Sequence, residues 1–428
     1  MMTTILSPTV IQSAGVMIVG AVLIQLVLML ASSFRRLAYD DERERVALIN
    51  LRYRTDALLV ESKSERNRVE FSWNGFRKFE IHRIVSEAKD INSFYLAPHD
   101  GRPLPPFLPG QYLTFQLKIP DLGKPLVRCY SLSDSPNHPD YYRVSIKKVP
   151  PPRNAPEAPP GVSSSFFHEH LNVGDILDVK APSGHFHLHA AKDNPIVLIG
   201  GGIGITPVLS MLNTLCEAES NREIWFFLGL RNGAEHPMKD HLQAIALQHD
   251  EVNMNICYSD PEEHDIEGSD YQHKERVSVE LFKRLLPSNN YTFYICGPPP
   301  MMEMVTADLK SWGVPDEEIH YEAFGPATVK RTKTVAEVPV AGAAAINVEF
   351  SRSGATLPWD GDAESLLDFA ERNGIDIDSG CRAGNCGTCI TAIKSGDITY
   401  NIEPGSPPED GSCLTCISIP KSDLTLDA

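Results

Sequence analysis

The nine-residue stretch "CRAGNCGTC" (Cys381–Cys389) holds three of the nine cysteines of this 428-residue chain. Cys381, Cys386 and Cys389 follow C-x4-C-x2-C, the spacing of a [2Fe-2S] binding loop. Zinc sites come as paired C-x2-C units, and only half of that is present. Nine cysteines in 428 residues is far below the density of a disulfide scaffold. Gly384 and Gly387 suit a loop whose backbone N–H groups must reach inorganic sulfide without side-chain bulk. Three thiolates leave one ligand to find, and Cys413 and Cys416 in "GSCLTCISIP" compete for the place.

Four other stretches carry chemistry. "RCYSLSD" (Arg128–Asp134) sets a guanidinium, a phenol ring and a hydroxyl on one extended segment, where residues 128 and 130 share a face. An ordinary edge strand has the same pattern. In "GVSSSFFHEH", Gly161 and Ser164 open a helix whose free N–H groups suit a pyrophosphate, although a serine at a helix start is common. "GGGIGITP" (Gly200–Pro207) is a glycine turn between strand and helix that lets backbone approach a phosphate. It reads Gly202-x-Gly204-x-x-Pro207, so it departs from G-x-G-x-x-G. "CGPPPMM" (Cys296–Met302) ends an apolar strand with a rigid turn, the edge where open α/β sheets bind ligands; a small buried thiol is the structural alternative.

The elements around these motifs divide the chain. Its composition, 42% hydrophobic and 22% charged, is that of a globular protein too long for one core. A formal charge of −17 excludes a nucleic-acid binder and leaves room for an acidic docking face. Residues 10–31 are uncharged and as a helix would reach about 33 Å, enough to cross a membrane. Arg35, Arg36, Arg43 and Arg45 follow this run and none precedes it, so a retained transmembrane helix is expected, with residues 1–9 outside and the catalytic bulk cytoplasmic. Residues 32–72 lack Gly and Pro through 36–70 and read as a juxtamembrane helical linker. Short alternating segments punctuated by Pro and Gly predict an antiparallel β-barrel over 73–192. Buried strands alternating with helices predict an α/β parallel-sheet domain over 193–328, then a linker at 329–344 and the cysteine domain at 345–428.

In order, "RCYSLSD", "GVSS", "GGIGITP", "CGPPPMM" and "YEAFG" resemble the ferredoxin–NADP reductase superfamily, and the C-terminal part resembles a plant-type ferredoxin. The combination, covering roughly residues 73–428, looks like the reductase components of oxygenase systems, with reductase domains also similar to those of flavohaemoglobins. The resemblance implies an FAD-binding barrel, an NAD(P)-binding domain and an α+β (β-grasp) ferredoxin domain. It implies that Arg128 pairs with the flavin phosphate, that Tyr130 packs on the isoalloxazine and that Ser131 hydrogen-bonds near N5. Gly161 and Ser164 match its pyrophosphate turn, and Gly202, Gly204 and Thr206 its nicotinamide-nucleotide loop. Cys296, Gly297 and Pro298 lie beside the nicotinamide, and Phe324 is the aromatic near the flavin ring. A Pro and a closing strand follow the last ligand of such ferredoxins, which selects Cys416 in "CISIPKSDLTL". The function implied is an electron chain from NADH or NADPH through FAD and the [2Fe-2S] cluster to an acceptor redox protein, an oxygenase, hydroxylase or desaturase, whether membrane-bound or free. A membrane-associated quinone or ferric reductase and a non-catalytic redox sensor are the alternatives. Arg231 in "LGLRNG" suits a 2′-phosphate, which leaves NADH against NADPH open.

Overall fold

The computed structural model describes residues 62–428 except 121, 124, 152–155, 190–193, 219, 221, 323, 325–345, 381, 383, 385, 386, 402, 403 and 405–407. Before residue 62 it describes only 17, 20, 22, 23, 25, 26, 28–30 and 45. Two compact units separate at Val69 and Glu70, and the motifs all lie in the second. Among the described residues no helix is long and apolar enough to cross a membrane. That overturns the expected transmembrane helix at 10–31 and, with it, the membrane localisation. A span needs about 20 consecutive apolar helical residues, and the described positions of that run supply no such stretch. The expected linker at 329–344 lies outside the described residues.

The first domain is a six-stranded antiparallel sheet, ordered β4-β3-β6-β1-β2-β5. Its strands are β1 (Arg77–Ala88), β2 (Ile91–Pro98), β3 (Tyr112–Leu117), β4 (Leu126–Ser131), β5 (Tyr142–Lys147) and β6 (Ile176–Ser183). A bridge from Leu132 to Val144 brings the two edge strands together, so the sheet curls around its core. Phe79, Phe94, Phe115, Tyr142 and Phe167 fill that core and are almost wholly buried. Each such side chain contributes on the order of 2 kcal/mol by leaving water.

The second domain is a five-stranded parallel sheet ordered β11-β10-β7-β8-β9. It comprises β7 (Ile196–Gly201), β8 (Ile224–Leu230), β9 (Val252–Tyr258), β10 (Thr292–Cys296) and β11 (Ile319–Glu322). Period-2 alternation explains why "IVLIGG" is buried throughout: Ile196 and Leu198 face one core, Val197 and Ile199 the other. The C-terminal edge of this sheet carries both motif turns, as the connection from β7 into the helix Ile205–Glu217 and from β10 into the helix Pro299–Ser311.

The third domain is a mixed sheet ordered β13-β12-β18-β14-β16, formed by β12 (Asn347–Phe350), β13 (Ala355–Pro358), β14 (Ile390–Ser395), β16 (Ser412–Leu414) and β18 (Leu424–Leu426). A second pair, β15 (Ile398–Tyr400) and β17 (Ser418–Pro420), and the helix Leu366–Arg372 accompany it. Ser365 starts that helix by accepting the Asp368 N–H at 3.2 Å. Cys389, Cys413 and Cys416 all belong to this domain's buried core.

Candidate functional site

Strand β4 holds the "RCYS" residues. Tyr130 packs edge-on against Phe115 (5.8 Å) and Phe167 (5.2 Å), and its hydroxyl lies 2.7 Å from the Ser163 hydroxyl. Burial pushes this phenol up to about 12, so it stays a neutral donor across the working pH range. Arg128 is exposed on the same strand and donates to the Val127 carbonyl (2.7 Å) and to the Gly380 carbonyl (3.5 Å). Gly380 directly precedes the cysteine loop. Ser131 is buried and its side chain hydrogen-bonds Glu322.

Gly161 precedes the helix Val162–Glu169, whose first turn has no acidic residue and no side-chain cap. Its leading N–H groups are therefore available to an anion. Ser164 is occupied within the turn: its hydroxyl accepts from the Val149 N–H (3.1 Å) and donates to the Gly161 carbonyl (3.0 Å). It braces the turn, and its neighbour Ser165 has a buried hydroxyl with no partner among the described residues. A buried orphan beside free N–H groups is the donor set a pyrophosphate would satisfy. Sequence reasoning missed Ser163 and Ser165, whose only signal was the serine run itself.

The two glycine turns interlock. Gly202 has φ +54°, which favours glycine, and Thr206 braces the turn by donating to the Ile203 carbonyl at 3.1 Å. A Cβ on Gly204 would fall 2.5 Å from the Cys296 carbonyl carbon, and one on Gly297 would lie 2.5 Å from Met301 Cε and 3.1 Å from Gly201 Cα. Pro298 caps the following helix. Backbone thus packs on backbone where the nicotinamide is expected. Gly204→Ala is expected to cost about 1–3 kcal/mol, because the atom it meets is main chain and cannot rotate away; chemical denaturation and the KM for the nucleotide measure it.

Cys296 is fully buried at the end of β10, and burial holds its thiol well above the ordinary range, so it is neutral. Its register partner on β11 is Glu322. That carboxyl is pushed up to about 8, by burial first, with the Ser131 hydrogen bond acting against the rise. Its Oε2 has no partner among the described residues. Glu322 was not singled out from the sequence, although it stands in "YEAFG" two residues before Phe324. Phe324 is exposed, and residues 323 and 325 beside it lie outside the described residues.

Of the cluster cysteines, Cys381 and Cys386 lie outside the described residues. Between them Arg382 (φ +55°) and Gly384 (φ +72°) are in the left-handed region, as is Gly387 (φ +69°) after them. Cys389 and Cys416 bring their sulfurs to 3.1 Å. This is well beyond a disulfide bond of about 2.05 Å and sets the two sulfurs side by side. Thr415 fixes it by donating its N–H (3.2 Å) and hydroxyl (3.1 Å) to the Cys389 carbonyl. Cys413 is fully buried on β16, opposite Thr391, and burial raises its thiol to about 11.

Comparison with known proteins finds three domain models along the chain. The oxidoreductase FAD-binding domain matches residues 78–188, the oxidoreductase NAD-binding domain 198–307, and the 2Fe-2S iron-sulfur cluster binding domain 348–421. The chain is 41% identical over 268 residues to a flavohemoprotein of Bacillus thuringiensis subsp. konkukian, a match taking in 63% of this chain and 65% of that protein. It is 38% identical over 255 residues to a flavohemoprotein of Bordetella pertussis, covering 59% and 61%. The chain therefore spans somewhat under two thirds of the length of these relatives. Among solved structures, the FAD/NAD-binding domain of nitric oxide dioxygenase from Vibrio cholerae O1 biovar El Tor superposes with a TM-score of 0.51 at 30% identity, over 59% of this chain and 100% of that one. Phthalate dioxygenase reductase, a modular structure for electron transfer from pyridine nucleotides to [2Fe-2S], gives 0.51 at 26%, over 83% and 98%.

Proposed function

Because the chain is an oxidoreductase with FAD-binding and NAD-binding domains of the ferredoxin–NADP reductase type and a C-terminal 2Fe-2S domain, we propose that it carries electrons from NAD(P)H to an oxygenase, hydroxylase or desaturase. The observation that supports this most is the convergence at the C-terminal edge of the parallel sheet. There Ser131 of the flavin strand meets Glu322, Glu322 is the register partner of Cys296, and the Gly200–Gly204 turn packs on Cys296. A sensor has no use for such a complete set. When bound, FAD accepts a hydride from the nicotinamide and releases electrons singly, as a [2Fe-2S] cluster requires.

The chain's own residues have separable tasks. The helix Val162–Glu169 and Arg128 hold anionic phosphate, while Tyr130, backed by the core ring of Phe167, walls the ring site. The interlocked glycines let the nicotinamide close on that site and keep water out. Cys296 presents a neutral thiol, and Ser131 with Glu322 holds a proton between a hydroxyl and a buried carboxylic acid. Cys381, Cys386, Cys389 and Cys416 would hold the cluster. Oxidation of NADH or NADPH with ferricyanide or cytochrome c as acceptor tests the reading. Turnover by flavin-loaded protein is expected, and its absence would overturn it.

The nucleotide preference we propose is NADH. Arg231, just beyond β8, donates to Asp260 through Nε (3.1 Å) and Nη2 (2.9 Å). The carboxylate both occupies that guanidinium and repels a 2′-phosphate. Asp260→Ala is expected to shift the ratio of kcat/KM values toward NADPH by about tenfold, roughly 1.4 kcal/mol. An unchanged ratio would remove Arg231 from the nucleotide site.

A further inference from the structure

The helix that leaves the "GGIGITP" turn, Ile205–Glu217, carries a polar stripe that the chemistry above does not use. Ser210, Asn213 and Glu217 stand at i, i+3 and i+7, one face of the helix. All three bond the loop that leaves the flavin strand. Ser210 donates its hydroxyl to the Asp134 carbonyl (2.6 Å), and Asn213 donates its amide to Asp134 Oδ1 (2.9 Å). Glu217 accepts from the Asn137 amide (2.9 Å) and from the Ser135 hydroxyl, and His138 lies 3.4 Å from it. His241 supports the far side of Asn213 at 2.8 Å. Asp134, Ser135, Ser210 and Asn213 are each at most 7% exposed, so these bonds are made away from water, where a lost partner is costly.

Asp134, His138 and Glu217 come close enough to suggest a cation. Asp134, however, is already saturated: besides Asn213 it accepts from the Ser135 N–H (3.0 Å), the Tyr141 hydroxyl (3.1 Å) and, at 3.3 Å, the Arg143 guanidinium. The cluster is a clasp between two domains. Its position gives it a task. Asp134 stands three residues after Ser131, and Ser210 follows Thr206 by one helical turn, about 6 Å along the axis. The clasp therefore ties the strand that lines the flavin site to the turn that lines the nicotinamide site by the shortest route on either side.

We propose that Ser210, Asn213 and Glu217 are positioning residues for hydride transfer, which set the separation of nicotinamide and flavin through Asp134. This rests on the electron-transfer reading above. Misplacement of reacting atoms by about 1 Å costs up to 100-fold in rate.

The test uses the full-length, cofactor-loaded protein and the double variant Ser210→Ala/Asn213→Ala, which leaves the Asp134–Arg143 pair intact so that no buried charge is stranded. Stopped-flow reduction by saturating NADH or NADPH is expected to slow at least tenfold, with flavin and iron content unchanged. The charge-transfer absorbance of the reduced protein with oxidised nucleotide should weaken in parallel. Hydrogen exchange without nucleotide should quicken at residues 202–209 and 132–138. Glu217→Ala should slow reduction similarly, and Glu217→Gln, which keeps an acceptor oxygen for Ser135 and Asn137, should recover most of the loss. A double variant that reduces within twofold of wild type with an undiminished charge-transfer band would overturn the proposal, even if exchange quickens, because the stripe would then serve packing alone. A wild-type protein that accepts no hydride would instead overturn the functional reading, and this one with it.

Discussion

Cys416→Ser is expected to abolish the cluster's visible absorption and its EPR signal in the reduced protein, whereas Cys413→Ser should retain both. Two cysteines three residues apart differ here in the direction their backbone imposes. Cys413 lies in the regular strand β16, paired with Thr391 of β14, and its side chain is directed into the core with no exposure. Cys416 sits in the turn Thr415–Ile417, where the strand has ended, and its sulfur meets that of Cys389 at 3.1 Å. A ligand must lose its proton to bind, and burial holds the Cys413 thiol at about 11, a poor starting point. Gly384 presses the loop onto the same turn: a Cβ there would come 2.5 Å from Ile417 Cδ1. Flavin content and far-UV circular dichroism control for misfolding. Loss of the signal in Cys413→Ser with retention in Cys416→Ser would move the fourth ligand three residues upstream and would require β16 to unpair.

The sequence made local chemistry legible and left long-range pairing hidden. Period-2 alternation with Pro and Gly marked the first antiparallel sheet, and buried strands such as "PIVLIGGG" marked the parallel one, because both patterns are set by which face meets a core. The residues of "RCYSLSD" suggested Tyr130 and Ser131, yet the partner of Ser131 was out of reach. Glu322 gains its place only when β11 aligns beside β10, a pairing between strands separated by a whole helix. Asp134 is similar. It read as the tail of a motif, and its buried bonds to Ser210 and Asn213 exist only because two domains meet. Ser164 was singled out as opening a helix with free N–H groups; its hydroxyl braces the turn, and the buried orphan hydroxyl beside it belongs to Ser165. Hydropathy over residues 10–31 pointed to a membrane helix, and among the described residues no helix is long and apolar enough to cross a membrane.

Glu322 makes the second large prediction, a stability that falls as pH rises. Its carboxyl is held up to about 8 against an ordinary value of 4.5. Desolvation is the first cause: the charged form would sit with one oxygen buried and unpartnered beside a neutral Cys296 thiol. In the unfolded chain the group releases its proton near 4.5. Between that pH and about 8 the native state therefore binds one more proton than the unfolded state, and stability decreases with pH. The stability this proton confers is complete below about 4.5 and gone above about 8. At about 1.4 kcal/mol per unit the whole window spans roughly 4–5 kcal/mol, an upper bound because an ionised group recruits water or shifts its neighbours. Glu322→Gln keeps the shape and an oxygen for Ser131 but carries no titrating proton. Urea unfolding of the flavin-free protein, followed by tryptophan fluorescence, should therefore show the variant matching wild type at pH 5 and exceeding it by roughly 2–4 kcal/mol at pH 8. The same titration should appear in the rate of flavin reduction by NADH: an inflection near pH 8 in wild type, and none in Glu322→Gln. Parallel pH curves for the two proteins, in stability and in rate, would mean that the carboxylate is ionised at neutral pH and that the proton it is taken to hold lies elsewhere.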